Sequence, residues 1–283
     1  MKTGISFKTQ HLEEILATKP QVGFLELHPE NYMVDGGPRL QALSKLQEHY
    51  PLSFHSVSLS LGGSEPLADQ QLKLLKEMIG RFQPRYVSDH LAWCKSGGIY
   101  FPDLLPLPLN ETTLAVVCEN VSKTQDVLKR QIFIENPSSY LTFAQSEIAE
   151  SEFLQTVARV TGCQLLLDLN NIYVSAQNLD YDARDYLDSI PGSVIGEVHL
   201  AGHSVDTAAP AKILIDDHGS PVADAVWHLY ARLCARVGPV PTLVEWDTRV
   251  PELSVLLDEA HKANQILNNS ASPQTARDQI VSS

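Results

Sequence analysis

The sequence is sparing with cysteine, with basic charge and with long apolar runs, and each shortage closes off a class of protein. Four cysteines, Cys94, Cys118, Cys163 and Cys234, stand in 283 residues. None forms a CxxC pair and their density is far below that of a disulfide scaffold, so they read as reduced thiols of a cytoplasmic protein. Lysine and arginine number 21 against 34 aspartates and glutamates, a formal net charge of −13. Such a field repels phosphate backbones and anionic lipid, which argues against nucleic acid and membrane surfaces as partners. No apolar run approaches the roughly 18 residues that a membrane span needs, and Met1-Lys2-Thr3-Gly4 opens no signal peptide. No GxGxxG follows the first apolar run, and Ser58-Leu-Ser-Leu-Gly-Gly63 lacks the lysine of a phosphate-binding loop. That segment reads instead as a tight loop shaping a pocket. With 43% hydrophobic and 19% charged residues, the chain can still bury a sizeable core.

What is present is a repeating unit. Short apolar runs lie near 4–6, 22–27, 52–57, 86–90, 132–135, 164–169, 194–200 and 242–246. Helical spacing appears between several of them, as in Ala68, Leu72, Leu75, Ile79 and Phe82. Leu253, Leu256, Leu257 and Ala260 repeat the pattern after Pro251, which suits a first helical turn because its missing N–H would be unpaired there. Eight strands alternating with helices predict a parallel sheet covered on both faces, either an open doubly wound sheet or a closed barrel. The polar residues decide between them. His55, His90, Glu135, Asp168, His199 and Glu245 each fall at the end of an apolar run. A barrel gathers its C-terminal strand ends on one face, whereas an open sheet strings them along an edge. The expected fold is therefore one α/β domain, a (β/α)₈ TIM barrel over residues 1–267, with a metal site at the C-terminal strand ends. Residues 268–283 are expected to be a disordered tail.

Carboxylates and imidazoles buried at strand ends without partners would cost several kcal/mol each, and many anions in one pocket would repel one another. Bound cations remove both problems, because carboxylates supply charge and bridging oxygens while imidazoles supply directed nitrogens. Asp216 and His218 add two donors from one loop, on the same side of an extended segment. Asp89 and Asp247 alternate away from their neighbours and are expected to orient ligands, and Asn136, Asn170 and His203 are further supporting candidates. His28, like His203, follows a strand and stays open between ligand and support. His11, His49, His228 and His261 fall on helical or surface segments and are expected to do nothing chemical. Trp93 and Tyr100 either line the mouth or merely pack.

Several of these strings together resemble one family. They are Gly4-Ile-Ser-Phe, Phe54-His55-Ser-Val-Ser-Leu-Ser-Leu-Gly, Ser88-Asp-His90-Leu-Ala-Trp, Glu135-Asn-Pro-Ser-Ser-Tyr, Asp168-Leu-Asn-Asn171-Ile-Tyr-Val, His199-Leu-Ala-Gly-His203, Asp216-Asp-His218-Gly and Glu245-Trp-Asp. They resemble the multinuclear non-haem iron-dependent oxidative enzymes, which include the methanobactin biosynthesis protein B and the enzymes that modify bufferin precursors. The resemblance runs from Gly4 to about Leu267. It implies a TIM barrel holding two or three irons of mixed Fe²⁺ and Fe³⁺ character, with O₂ as co-substrate. It also implies oxidation of cysteines in a ribosomally made precursor peptide, with copper-binding sulfur heterocycles among the products. With the barrel using residues to about Leu267, no segment is expected to remain for leader binding, and a separate small partner protein is implied.

The donor order also looks like that of endonuclease IV and the xylose-isomerase-like barrels. Carried onto this chain it gives His55, His90, Glu135, Asp168, Asn171, His199, Asp216, His218 and Glu245. Asn171 stands where the endonuclease pattern has a histidine, and a neutral amide is a weaker donor, which argues against a trizinc hydrolytic site. A divalent-metal sugar isomerase or epimerase, an endonuclease IV-like hydrolase and a non-enzymatic metal-binding scaffold are the alternatives.

Overall fold

The computed structural model describes residues 3–207 and 212–271. Its first half runs β1 (Gly4–Ser6), α1 (Leu12–Thr18), β2 (Leu25–Leu27), α2 (Pro38–Gln47), β3 (Leu52–His55), α3 (Asp69–Phe82), β4 (Tyr86–His90), β5 (Trp93–Ser96), β6 (Ile99–Leu105) and α4 (Glu111–Leu128). The second half runs β7 (Phe133–Glu135), α5 (Glu150–Thr161), β8 (Gln164–Asp168), α6 (Leu169–Leu179), α7 (Ala183–Ser189), β9 (Ile195–Leu200), β10 (Ser204–Asp206), β11 (Ile213–Ile215), α8 (Asp224–Val237), β12 (Thr242–Val244) and α9 (Leu253–Ala271).

Eight of these strands close a parallel barrel in the order β1-β2-β3-β4-β7-β8-β9-β12, with β12 pairing back onto β1. Each coincides with one of the apolar runs. The strands are apolar on both faces because helices cover the outside and side chains fill the inside; β9 is buried at all six positions. α3 buries Leu72, Leu75, Ile79 and Phe82 of the expected stripe together with Met78, and Ala68 stands just ahead as N-cap. The barrel interior is not wholly apolar: Glu26 on β2, Ser53 on β3 and Glu197 on β9 are buried as well.

Three details differ from the sequence reading. Two antiparallel hairpins, β5–β6 after β4 and β10–β11 after β9, stand outside the barrel and follow no barrel-strand pattern. Pro251 lies two residues ahead of α9 rather than within its first turn, and its carbonyl accepts a hydrogen bond from His11 Nε2 at 2.9 Å. α9 runs on to Ala271, past the Asn268 at which the tail was expected to begin, and residues 272–283 lie outside the described residues. No described helix is long and apolar enough to cross a membrane. All four cysteines are free thiols, three buried and Cys118 half-buried.

Candidate metal centre

Strand ends deliver most of the donors. β3 ends on His55, β4 on His90, β7 on Glu135 and β8 on Asp168, His199 is the penultimate residue of β9, and Glu245 follows β12 directly. Asp216 and His218 arrive differently, after the hairpin strand β11. Seven of the nine expected ligands line one cavity of about 940 Å³, and Asp168 and His199 lie fully buried behind them.

Several of the close contacts among these donors lack hydrogen-bond geometry. Glu135 Oε2 lies 2.9 Å from His55 Nε2 and 2.9 Å from His90 Nε2. The two Nε2 atoms are 3.1 Å apart. Yet Glu135 Oε2 is buried and has no hydrogen-bond partner, so it lies off both N–H axes. His218 Nε2 repeats the pattern, 2.6 Å from Asp216 Oδ1 and 3.9 Å from Asp168 Oδ2 but hydrogen-bonded to neither. Octahedral cations with metal–ligand bonds of about 2.1 Å set neighbouring ligands about 3.0 Å apart, with lone pairs aimed at the ion rather than at each other. Unpaired buried atoms at that spacing fit a metal. Three-donor groups form around His55, Glu135 and His199, around Asp168, His218 and Glu245, and around His28, Glu245 and Asp247.

Local structure fixes several donors in place. Asp168 caps α6: its Oδ1 accepts the Asn171 N–H at 2.7 Å, while its Oδ2 stays buried and unpaired. Capping thus occupies one oxygen of the side chain and leaves the other available to a metal ion. Asn136 clamps the Asp168 backbone, accepting its N–H at 2.9 Å and donating to its carbonyl at 3.1 Å. Asn171 donates Nδ2–H to the Asn136 carbonyl at 3.0 Å, which leaves its Oδ1 buried without a partner. His218 Nδ1–H donates to Asp247 Oδ2 at 3.1 Å, and Lys8 pairs with the other oxygen of Asp247. This turns His218 Nε2 toward the cavity. His218 has φ +43°, a left-handed conformation uncommon for a side-chain-bearing residue and typical of strained functional loops. The next residue is Gly219, where a Cβ would run into Thr248 Oγ1.

The residues left open in the sequence divide. His28 donates Nδ1–H to the His55 carbonyl at 2.9 Å, so its Nε2 carries the lone pair beside Glu245 and Asp247. His203 faces away, donating Nδ1–H to Asn170 Oδ1 at 2.8 Å, and Asn170 passes the contact on to Asp216 Oδ1 at 2.7 Å. Asp89 accepts the N–H groups of Leu59 and His90 and so shapes the loop beside His90. The Ser58–Gly63 loop is also held by Glu30, whose Oε1 accepts from Ser56, Val57 and Ser58. Tyr100 lines the cavity, whereas Trp93 packs and donates to the Pro106 carbonyl. His11 is buried in its bond to Pro251, and His49, His228 and His261 are exposed.

Two acidic residues escaped the sequence reading, Glu26 and Glu197. Together with His199 they form a further group of donors. Glu26 Oε1 is 3.0 Å from His199 Nε2, while Glu26 Oε2 accepts from Ser53 Oγ at 2.7 Å. Glu197 is fully buried and neither of its oxygens has a hydrogen-bond partner. Burial, then Glu26, push its carboxyl well above the usual range. Both residues interrupt apolar runs one layer below the strand ends, and Glu197 sits two positions before His199, hence on the same face of β9. That alternation was the available signal. Elsewhere the centre is strongly polarised. Burial alone would raise the carboxyl of Glu135, but His90 and His55 outweigh it and hold it well below the carboxylate range. Asp168 goes the other way, raised by burial and by the neighbouring Asp216 and Glu135.

A family model described as RiPP precursor modification enzyme MbnB/TglH/ChrH matches residues 2–268. The chain belongs to this family. Relatives in it include a UPF0276 protein of Paraburkholderia phytofirmans, 47% identical over 93% of this chain and 86% of the relative. Another, from Caulobacter vibrioides, is 46% identical over 97% of both chains. Among solved structures, a xylose isomerase-like TIM barrel protein from Mycobacterium smegmatis in complex with magnesium superposes with a TM-score of 0.64 at 10% identity, covering 96% of this chain and 98% of that one. A D-psicose 3-epimerase superposes with a TM-score of 0.62 at 11% identity, over 96% of this chain and all of that one. At such identity these two share the fold, and membership of the RiPP-modifying family favours a peptide substrate over a sugar.

Proposed function

We propose that this RiPP precursor modification enzyme is an iron-dependent oxidase or oxygenase that uses O₂ to modify cysteine side chains of its precursor peptide. The observation that carries the reading is the donor set itself: imidazoles, carboxylates and one amide oxygen crowded at ligand spacing, with Glu135 Oε2, Asp168 Oδ2, Asn171 Oδ1 and His218 Nε2 buried and without hydrogen bonds. Mixed nitrogen and oxygen donors of this kind suit non-haem iron, and nine of them exceed what one ion can use. Iron held here supplies redox chemistry toward O₂ and an open position for a soft thiolate. The chain's own residues do the rest. His55, His90 and Glu135 would hold one side of the centre, and Asp168, Asn171, Asp216, His218 and Glu245 the other. His199 stands between Glu245 and Glu26. Asp247 and Lys8 fix the orientation of His218, and Asn136 fixes that of Asp168. The cavity mouth, with Tyr100, Phe101, Tyr140 and Leu141 partly exposed around it, suits an extended peptide.

The test is metal content and turnover. Protein purified anaerobically from iron-rich medium is expected to hold about two to three irons per chain by elemental analysis, with mixed oxidation states by Mössbauer spectroscopy. It is expected to consume O₂ in the presence of a Cys-containing precursor. Stoichiometric zinc with no iron uptake and no O₂ consumption would instead support a hydrolase or isomerase. Tight metal binding with no turnover of any substrate would support a scaffold. A small partner protein is proposed to present the leader, and calorimetry with and without it, at two salt concentrations, checks this. Tight, salt-independent binding of precursor by the enzyme alone overturns the partner's role. A cytoplasmic location, with no nucleic-acid or membrane partner, follows the same reading from the −13 net charge and the free cysteines.

A further inference from the structure

Beside the metal cavity lies a second one of about 550 Å³ whose chemistry is different. The two share Pro106, Pro137 and Leu141 in their walls, so one peptide crossing this ridge would enter both. Apolar side chains dominate the second cavity, among them Leu107, Leu109, Phe143, Ile148 and Leu179. Its charged residues are of one sign: Glu150, Asp182 and Asp185 line it, and no lysine, arginine or histidine does among the described residues. Asp182 is neutralised by Arg184. Glu150, the first residue of α5, is held only by neutral groups, accepting from Tyr186 Oη at 2.8 Å and from Ser139 Oγ at 3.4 Å.

We propose that this cavity is a specificity site for a lysine or arginine side chain of the peptide substrate, a few residues away from the cysteine presented at the metal centre. The inference rests on the substrate being a peptide. An aliphatic stem matches the leucine and phenylalanine walls, and a cationic head matches Glu150. An apolar side chain would fill the walls but leave the carboxylate dry and without a counter-charge. A compact polar one would leave the walls empty. Burial has already pushed the Glu150 carboxyl up to about 7, the state of an acid lacking its cation. Nothing in the metal chemistry uses Glu150, since it belongs to none of the donor groups.

Metal-free protein titrated calorimetrically with n-hexylammonium, and separately with n-hexanol, tests the site without turnover. Hexylammonium is expected to bind saturably, and Glu150→Gln to weaken it by about tenfold or more, the size of a charge-assisted contact. Glu150→Asp, which keeps the charge, is expected to retain part of the affinity, and hexanol to be indifferent to either change. The peptide Ac-Cys-Gly-Gly-Lys-NH₂ is expected to displace hexylammonium, and its norleucine counterpart not to. Equal binding of hexanol and hexylammonium overturns the proposal. So does undiminished binding by Glu150→Gln, absence of hexylammonium binding, or equal displacement by the norleucine peptide. Should the lysine peptide bind while iron-loaded enzyme leaves every cysteine peptide unoxidised, the oxidative reading fails and the cation site stands.

Discussion

Glu26 Oε1 stands 3.0 Å from His199 Nε2, one layer beneath the rim of donors, and no hydrogen bond of normal geometry joins them. On the other side of the same ring, Nδ1 is 3.0 Å from Glu245 Oε2. His199 is thus gripped between two carboxylates, and its ring plane is set from below. Substitution Glu26→Gln is expected to lower iron affinity about 10- to 100-fold, as loss of an outer carboxylate does. Glu26→Asp is expected to recover part of it. Metal competition titrations check this, and circular dichroism checks that the barrel persists.

Asp168 separates two functions that a single alanine would confound. Asp168→Asn keeps an oxygen for the Asn171 N–H but loses the anionic donor, so metal content and peptide modification are expected to collapse while α6 stays capped. Asp168→Ala is expected to lose the cap too, at a further cost of about 1 kcal/mol in denaturant unfolding. Equal stability of the two metal-free variants would show that the cap contributes nothing.

His90→Ala and Glu245→Ala are expected to abolish peptide oxidation and leave a folded barrel, because stability rests mainly on the layered apolar core. Some thermal stability goes with the metal by linkage. Asp247→Asn is expected to be milder, since it weakens the hold on His218 and removes none of the nine expected ligands. If instead Asp89 or Asp247 variants are dead and His90→Ala turns over normally, the ligand assignment fails.

Glu150 carries a pH signature. Its carboxyl titrates at about 7 in the folded chain against the ordinary 4.5. Between those values the folded state binds more protons than the unfolded one, so this group's contribution to stability falls as pH rises. Glu150→Gln is expected to match wild type near pH 4.5 and to be more stable at pH 8, by about 1–3 kcal/mol. Urea unfolding at the two pH values measures it. A variant gaining stability while losing hexylammonium is what a binding residue, rather than a structural one, produces.

The barrel was legible because its strands are apolar on both faces and end in polar residues. Runs at 4–6 and 86–90 match β1 and β4 residue for residue, and Glu135 and Asp168 close β7 and β8 as their sequence suggested. The hairpins were not legible. Ile99, Tyr100 and Phe101 are exposed on β6, so no alternation with a buried face marks them. Asp216 and His218 read as two donors from one loop, and they do follow a strand, but the hairpin strand β11 that delivers them was not legible. Glu26 and Glu197 stayed hidden for a different reason. A reading that looks for donors at strand ends passes over a carboxylate flanked by Leu25 and Leu27.

The closing pair of strands has a consequence for biosynthesis. β12 slots between β9 and β1, and only then is the ring complete. Glu245 and Asp247 lie just past β12, so the donors near them, His28, His199 and His218, wait on almost the whole chain. A chain emerging from the ribosome therefore carries many loose metal-seeking side chains before it carries a pocket to discipline them. Selection among ions by these side chains can begin only when synthesis has delivered the last strand, and whatever ion is most available at that moment competes for the freshly closed ring.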